Sequence, residues 1–70
     1  MTKLQKLRKD KGLKQVQVTD KADITVMSYY RYESGKRRPD VYTAQRIALA
    51  LDTTVDDLFP LQSLERVESR

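Results

Sequence analysis

The sequence predicts an all-α fold of five short helices, and three observations carry that expectation. Val41, Ala44, Ile47, Ala48 and Leu51 recur at helical spacing, the clearest periodicity in the chain. Capping residues and stop signals alternate at short intervals: Thr2 and Gly12, Thr25 and Gly35, Asp40, then Thr54 and Pro60. Strand signals are nearly absent. The run from Ile24 to Tyr30 is β-like in composition, but its apolar residues do not strictly alternate. At 70 residues the chain accommodates one small domain, not two.

The first helix carries Leu4 and Leu7 three apart, an apolar stripe inside a basic stretch. Thr2 caps its start, and Gly12 stands where a left-handed residue ends it. The second runs from about Gln15 to Ala22, with Val18 and Ala22 on one face. Asp23-Ile24-Thr25 interrupts it, and Thr25 caps a third helix from Val26 to about Ser34. Gly35 stops that helix, and Lys36-Arg37-Arg38-Pro39 forms a basic loop. Asp40 caps the fourth. Thr54 caps a fifth containing Val55, Leu58 and Phe59, with Asp56 and Asp57 in its first turn, where the helix dipole favours acids. Pro60 ends it. Residues 1–60 are expected to form the domain and residues 61–70 a C-terminal tail.

Composition removes several functions. There is no cysteine and no histidine, so disulfides and thiolate metal sites are excluded. The commonest general base and metal ligand is missing as well. Asp56-Asp57 is the only carboxylate pair, and its place at a helix start accounts for it. Two glycines do not make a phosphate-binding loop. No enzyme activity, cofactor or metal is therefore expected. No apolar run approaches the roughly 20 residues that span a bilayer. The N-terminus does not read as a signal peptide. A cytoplasmic protein without membrane contact is the expectation.

The net charge of +4 is unevenly spread. Residues 1–15 carry Lys3, Lys6, Arg8, Lys9, Lys11 and Lys14 against Asp10 alone. Residues 31–46 hold Arg31, Lys36, Arg37, Arg38 and Arg46 against Glu33 and Asp40. Residues 47–60 contain Asp52, Asp56 and Asp57 and no base. Such polarity fits a polyanion on one side of the fold, or a solvated surface that happens to be basic.

Helix, three-residue turn and helix over residues 15–34 match a helix-turn-helix. Here the sequence resembles the Cro/cI-type (XRE) family of DNA-binding domains, as carried by small phage-like or mobile-element regulators. The resemblance runs from Leu4 to Phe59. It rests on Leu7-Arg8, Gly12-Leu13-Lys14-Gln15, Ile24-Thr25 and the block from Tyr32 to Pro39, which contains Glu-x-Gly-Lys-x-x-Pro. Ile47-Ala48, Leu51 and Val55-Asp56-Asp57-Leu58-Phe59 extend it. The chain departs from the family at three places. Thr19 replaces the usual Ala, Asp23 replaces the turn Gly, and Lys14 stands where Ser, Thr or Asn usually caps the second helix.

The resemblance implies a five-helix lambda-repressor-like domain with the helix-turn-helix in helices two and three. It implies a sequence-specific regulator of transcription, a repressor at a double-stranded DNA operator, bound as a homodimer. Val26, Met27 and Arg31 stand where the family reads bases, with Tyr30 beside them. Arg31 can bind guanine O6 and N7, while Val26 and Met27 can touch thymine methyls. Gln15 occupies the helix start that meets a phosphate in this family, with Lys14 next to it. Lys36, Arg37 and Arg38 form a second phosphate clamp. Arg8 and Glu33 match a structural ion pair, and Tyr29 and Tyr32 match inward positions. Two other functions stay open: an antirepressor or modulator binding a larger regulator protein, and an antitoxin with DNA-binding autoregulation.

Leu61, Leu64 and Val67 recur every three residues beyond Pro60, and Leu49 is apolar where the family is mostly polar. These surfaces are expected to cover each other, within one chain or across a two-fold axis.

Overall fold

The computed structural model describes residues 2–59. Leu61, Leu64 and Val67, and so the tail side of the contact expected for Leu49, lie outside them. Five helices and no strand make up the described residues: α1 (Lys3–Asp10), α2 (Gln15–Ala22), α3 (Val26–Glu33), α4 (Val41–Ala50) and α5 (Val55–Leu58).

Four of the five begin on a side-chain cap. The hydroxyls of Thr2, Thr25 and Thr54 accept from the amides of Gln5, Ser28 and Asp57 at 3.2, 3.1 and 3.1 Å. Asp40 Oδ1 accepts from the Thr43 amide at 2.8 Å, and the Thr43 side chain first, then this amide, hold the Asp40 carboxyl below its ordinary range. Caps of this kind each contribute about 1 kcal/mol. α2 is the exception, because a lysine side chain has no acceptor for an amide. Instead Gln17 Oε1 reaches back to accept from the Lys14 amide at 2.8 Å.

A left-handed residue stands in each of the four junctions. Gly12 and Gly35 have φ of +71° and +80°. Asp23 takes the same region at φ 59°, which Asp tolerates better than most residues. Asp52 does so after α4, at φ 56°, a feature that no residue pattern announces.

Leu4, Val18, Ala22, Tyr29, Ile47, Ala48, Ala50, Leu51 and Leu58 form the core, with Leu7, Leu13, Ile24, Tyr32, Val55 and Phe59 packed around it. α2 meets α4 most broadly, and also packs on α3. Small residues at Ala22, Ala44 and Ala48 are buried there, which favours close approach of helices. The substituted Thr19 is buried too, and its hydroxyl is satisfied by the Val16 carbonyl at 3.1 Å.

One residue of the expected stripe is not in the core. Val41 is 73% exposed. It lies two turns before Ala48, so the two share nearly one angle around the axis. Only its place at the first position of α4 separates it from the packed stretch, which begins at Ala44.

Candidate nucleic-acid interface

α3 is seated by its inward face. Tyr29 is fully buried, Glu33 is buried and Tyr32 is half-buried. Arg8 Nε of α1 donates to Glu33 Oε2 in a short ion pair, and Arg8 Nη2 donates to Oε1 at 3.3 Å. Arg8 Nη1 donates to the Leu13 carbonyl at 2.7 Å, so one guanidinium spans both ends of a helix-to-helix contact. Gln15 Nε2 adds a donor to Glu33 Oε1 at 3.0 Å. Burial pushes the Glu33 carboxyl up, but Arg8, the neighbouring Tyr29 hydroxyl and Gln15 outweigh it and hold the group below the usual carboxylate range. The hydrogen bond to Glu33 likewise holds Arg8 above its ordinary value. Burial, then Glu33, push the Tyr29 phenol well up. Its hydroxyl is buried without a hydrogen-bond partner among the described residues.

A further tie was invisible in the sequence. Thr2 Oγ1 donates to the Glu33 carbonyl at 2.6 Å, so the residue that caps α1 also closes the end of α3. Gly35 lies beside it, where an added Cβ would stand 3.6 Å from Thr2 Cγ2.

The outward face of α3 is different. Val26, Met27 and Tyr30 are 44%, 62% and 51% exposed, and Arg31 is exposed beside them. Met27 is outside the core cluster and the residues packed around it. Two serine hydroxyls here make local bonds: Ser28 Oγ accepts from Thr25 Oγ1 at 3.0 Å, and Ser34 Oγ donates to the Arg31 carbonyl at 3.1 Å.

Both groups of candidate phosphate ligands are tied to the end of α3. The first is the start of α2. Lys14 is exposed there, and the first amides of a helix have no intrahelical acceptor. The Gln15 side chain is half-buried on Glu33 rather than fully turned to solvent. A carboxamide has two hydrogens, so this bond and a phosphate contact are compatible. Val16, also 50% exposed, adjoins them and had no sequence signal beyond its neighbours. The second is the basic loop. The amides of Lys36 and Arg37 donate to the Arg31 carbonyl at 3.0 and 3.3 Å, which folds the loop back over the last turn of α3. Lys36, Arg37 and Arg38 are all exposed.

Elsewhere, Val41, Tyr42 and Leu49 are exposed on α4. A shallow cleft of about 280 Å³ between α1 and α5 is lined by Lys3, Lys6, Leu7, Asp10 and Asp57. Among the described residues, no group of three or more His, Cys, Asp or Glu could hold a metal ion. No helix there is long and apolar enough to cross a membrane.

The helix-turn-helix family model matches residues 4–58. A Bacillus subtilis (strain 168) protein, the uncharacterized HTH-type transcriptional regulator YqaE, is 42% identical over 64 residues. The match covers 91% of this chain and 55% of that protein, so the chain spans about half the length of this curated relative. No solved structure matches the chain.

Proposed function

The chain belongs to the helix-turn-helix family of DNA-binding transcription regulators, and on that premise we propose that it represses transcription by reading an operator with α3. One observation carries the reading. The helix that carries the solvent-facing residues is bonded at its C-terminal turn to two basic groups, the start of α2 through Gln15 and Glu33 and the basic loop through the Lys36 and Arg37 amides on the Arg31 carbonyl. Phosphate contacts fix register and base contacts supply specificity. In this reading Lys14, Gln15, Lys36, Arg37 and Arg38 hold phosphates. Val26, Met27, Tyr30 and Arg31 face base edges in the major groove. Residues 1–60 act as the DNA-binding domain, in a binding role without catalysis.

The exposed apolar residues of α4 support a homodimer, with Leu49 at its contact. A two-fold pair of such modules reads half-sites about one DNA turn apart. The same face is what favours the second reading, a modulator that binds a larger regulator. Selection from random-sequence duplex, with the mass of the free protein measured by sedimentation, separates them. Enrichment of a two-half-site sequence by a dimer supports the repressor. Absence of any enriched sequence contradicts it.

A further inference from the structure

Thr2 lies outside the stretch that matches the family, residues 4–58, yet it is bonded to the end of α3. Its hydroxyl is used twice. It accepts from the Gln5 amide at 3.2 Å as the cap of α1, and it donates to the Glu33 carbonyl at 2.6 Å. The second bond stands where the chain leaves α3. If the helix continued, the Arg37 amide would reach the Glu33 carbonyl. Instead Gly35 turns the chain at φ +80°, and the Lys36 and Arg37 amides donate to the Arg31 carbonyl at 3.0 and 3.3 Å. The last carbonyls of a helix need partners from outside its own ladder. Thr2 supplies one to the carbonyl that this reversal leaves behind. It also walls the turn, because its Cγ2 stands 3.6 Å from where a Cβ on Gly35 would be.

We infer that Thr2 is a positioning residue for the basic loop. By holding the Glu33 carbonyl and flanking Gly35, it fixes the reversal that presents Lys36 and Arg37. The inference rests on the proposal that these two cations hold phosphates. Without the hydroxyl, the Glu33 carbonyl competes for the Arg37 amide, and the loop loses its single course. Binding then has to order the loop and two long cationic side chains, which weakens it. Phosphate contacts carry no sequence information, so the loss falls on every duplex alike.

The test uses the full chain and a duplex that it enriches. Thr2→Val keeps the shape of the side chain and removes the hydroxyl. It also removes the α1 cap, so Thr54→Val, which removes the α5 cap, is the control for lost stability, with melting curves for both. Thr2→Val should weaken binding about threefold to tenfold with base preferences unchanged. Thr54→Val should bind as the native chain does. Thr2→Ser, which both accepts and donates, should restore native affinity. With Lys36→Ala and Arg37→Ala already in place, Thr2→Val should cost little more. A second variant separates cap from tie without DNA. Thr2→Asp still accepts from the Gln5 amide but has no hydrogen to donate. In the free chain it should quicken hydrogen exchange at the Lys36 and Arg37 amides. Native affinity in folded Thr2→Val, an equal loss with and without Lys36 and Arg37, or unchanged exchange in Thr2→Asp overturns the inference and leaves the DNA-binding proposal standing. If Lys36→Ala with Arg37→Ala binds as the native chain does, the phosphate role of the loop falls and the inference with it. Failure of the native chain to prefer any duplex overturns the inference and the repressor proposal together.

Discussion

α3 and α4 each bury one face and expose apolar side chains on the other, yet they are held and surrounded in different ways. α4 is seated by hydrocarbon alone, through Ala44, Ile47, Ala48 and Leu51. α3 is seated by Tyr29 and by a buried polar cluster of Arg8, Glu33 and Gln15. Outside, Tyr42 and Leu49 of α4 have the single cation Arg46 one turn away on the same helix, while α3 carries Arg31 beside Tyr30 and holds both the start of α2 and the basic loop at its C-terminal end. Exposed apolar surface alone does not say what covers it. The charge around it does, and the two helices are assigned different partners on that ground.

The largest expected effect breaks the seating of α3. Glu33→Ala leaves the Arg8 guanidinium buried and unpaired, and should cost about 3–5 kcal/mol in denaturant unfolding. Ile47→Ala should cost about 2–5 kcal/mol on α4, by lost burial and a cavity. The first seat responds to pH through a buried carboxylate. The folded carboxyl of Glu33 lies below the unfolded value near 4.5. Its contribution is therefore complete above that pH and is lost as pH falls through the folded value. Melting temperature against pH should show this loss in the native chain, and Glu33→Gln should reduce it. An equal acid slope in both proteins contradicts the contribution given to Glu33.

Next in size is salt. If the cations beside α3 neutralise about six phosphates, log K against log salt has a slope near −5. A flat response in a binding titration removes DNA as the partner of that face. Smaller again is the effect on α4. Leu49 is 81% exposed, so Leu49→Lys should leave monomer stability nearly unchanged. It should lower the sedimenting mass of a dimer towards that of a monomer, by removing about 1.5–3 kcal/mol of apolar burial. A native chain that is already monomeric at high concentration contradicts the proposed dimer.

Much of this architecture was legible because local chemistry fixes it. Thr2, Thr25, Asp40 and Thr54 cap the helices that their positions imply, and Gly12, Asp23 and Gly35 take the left-handed turns. The Arg8–Glu33 pair was legible through resemblance alone, since 25 residues separate its members. Four features were not legible. Val41 has the right angle around α4 but the wrong height, which periodicity does not encode. The bond from Thr2 to the Glu33 carbonyl and the bond from Gln15 to the Glu33 carboxylate depend on how three helices meet. Asp52 adopts a left-handed turn that in this chain also falls to glycine, with no neighbouring signal.

The comparison of α3 with its surroundings turns on whether the helix reads bases while the flanking cations hold the backbone. Base-preference profiles of Arg31→Ala and Lys36→Ala, obtained by selection from random duplex, test this most directly. Arg31→Ala should cost about 1–3 kcal/mol and relax preference at one base position. Lys36→Ala should weaken all sequences alike and lower the salt slope by about 1. If Arg31→Ala leaves every base preference unchanged, α3 is not the reading element and the account of its outward face is wrong.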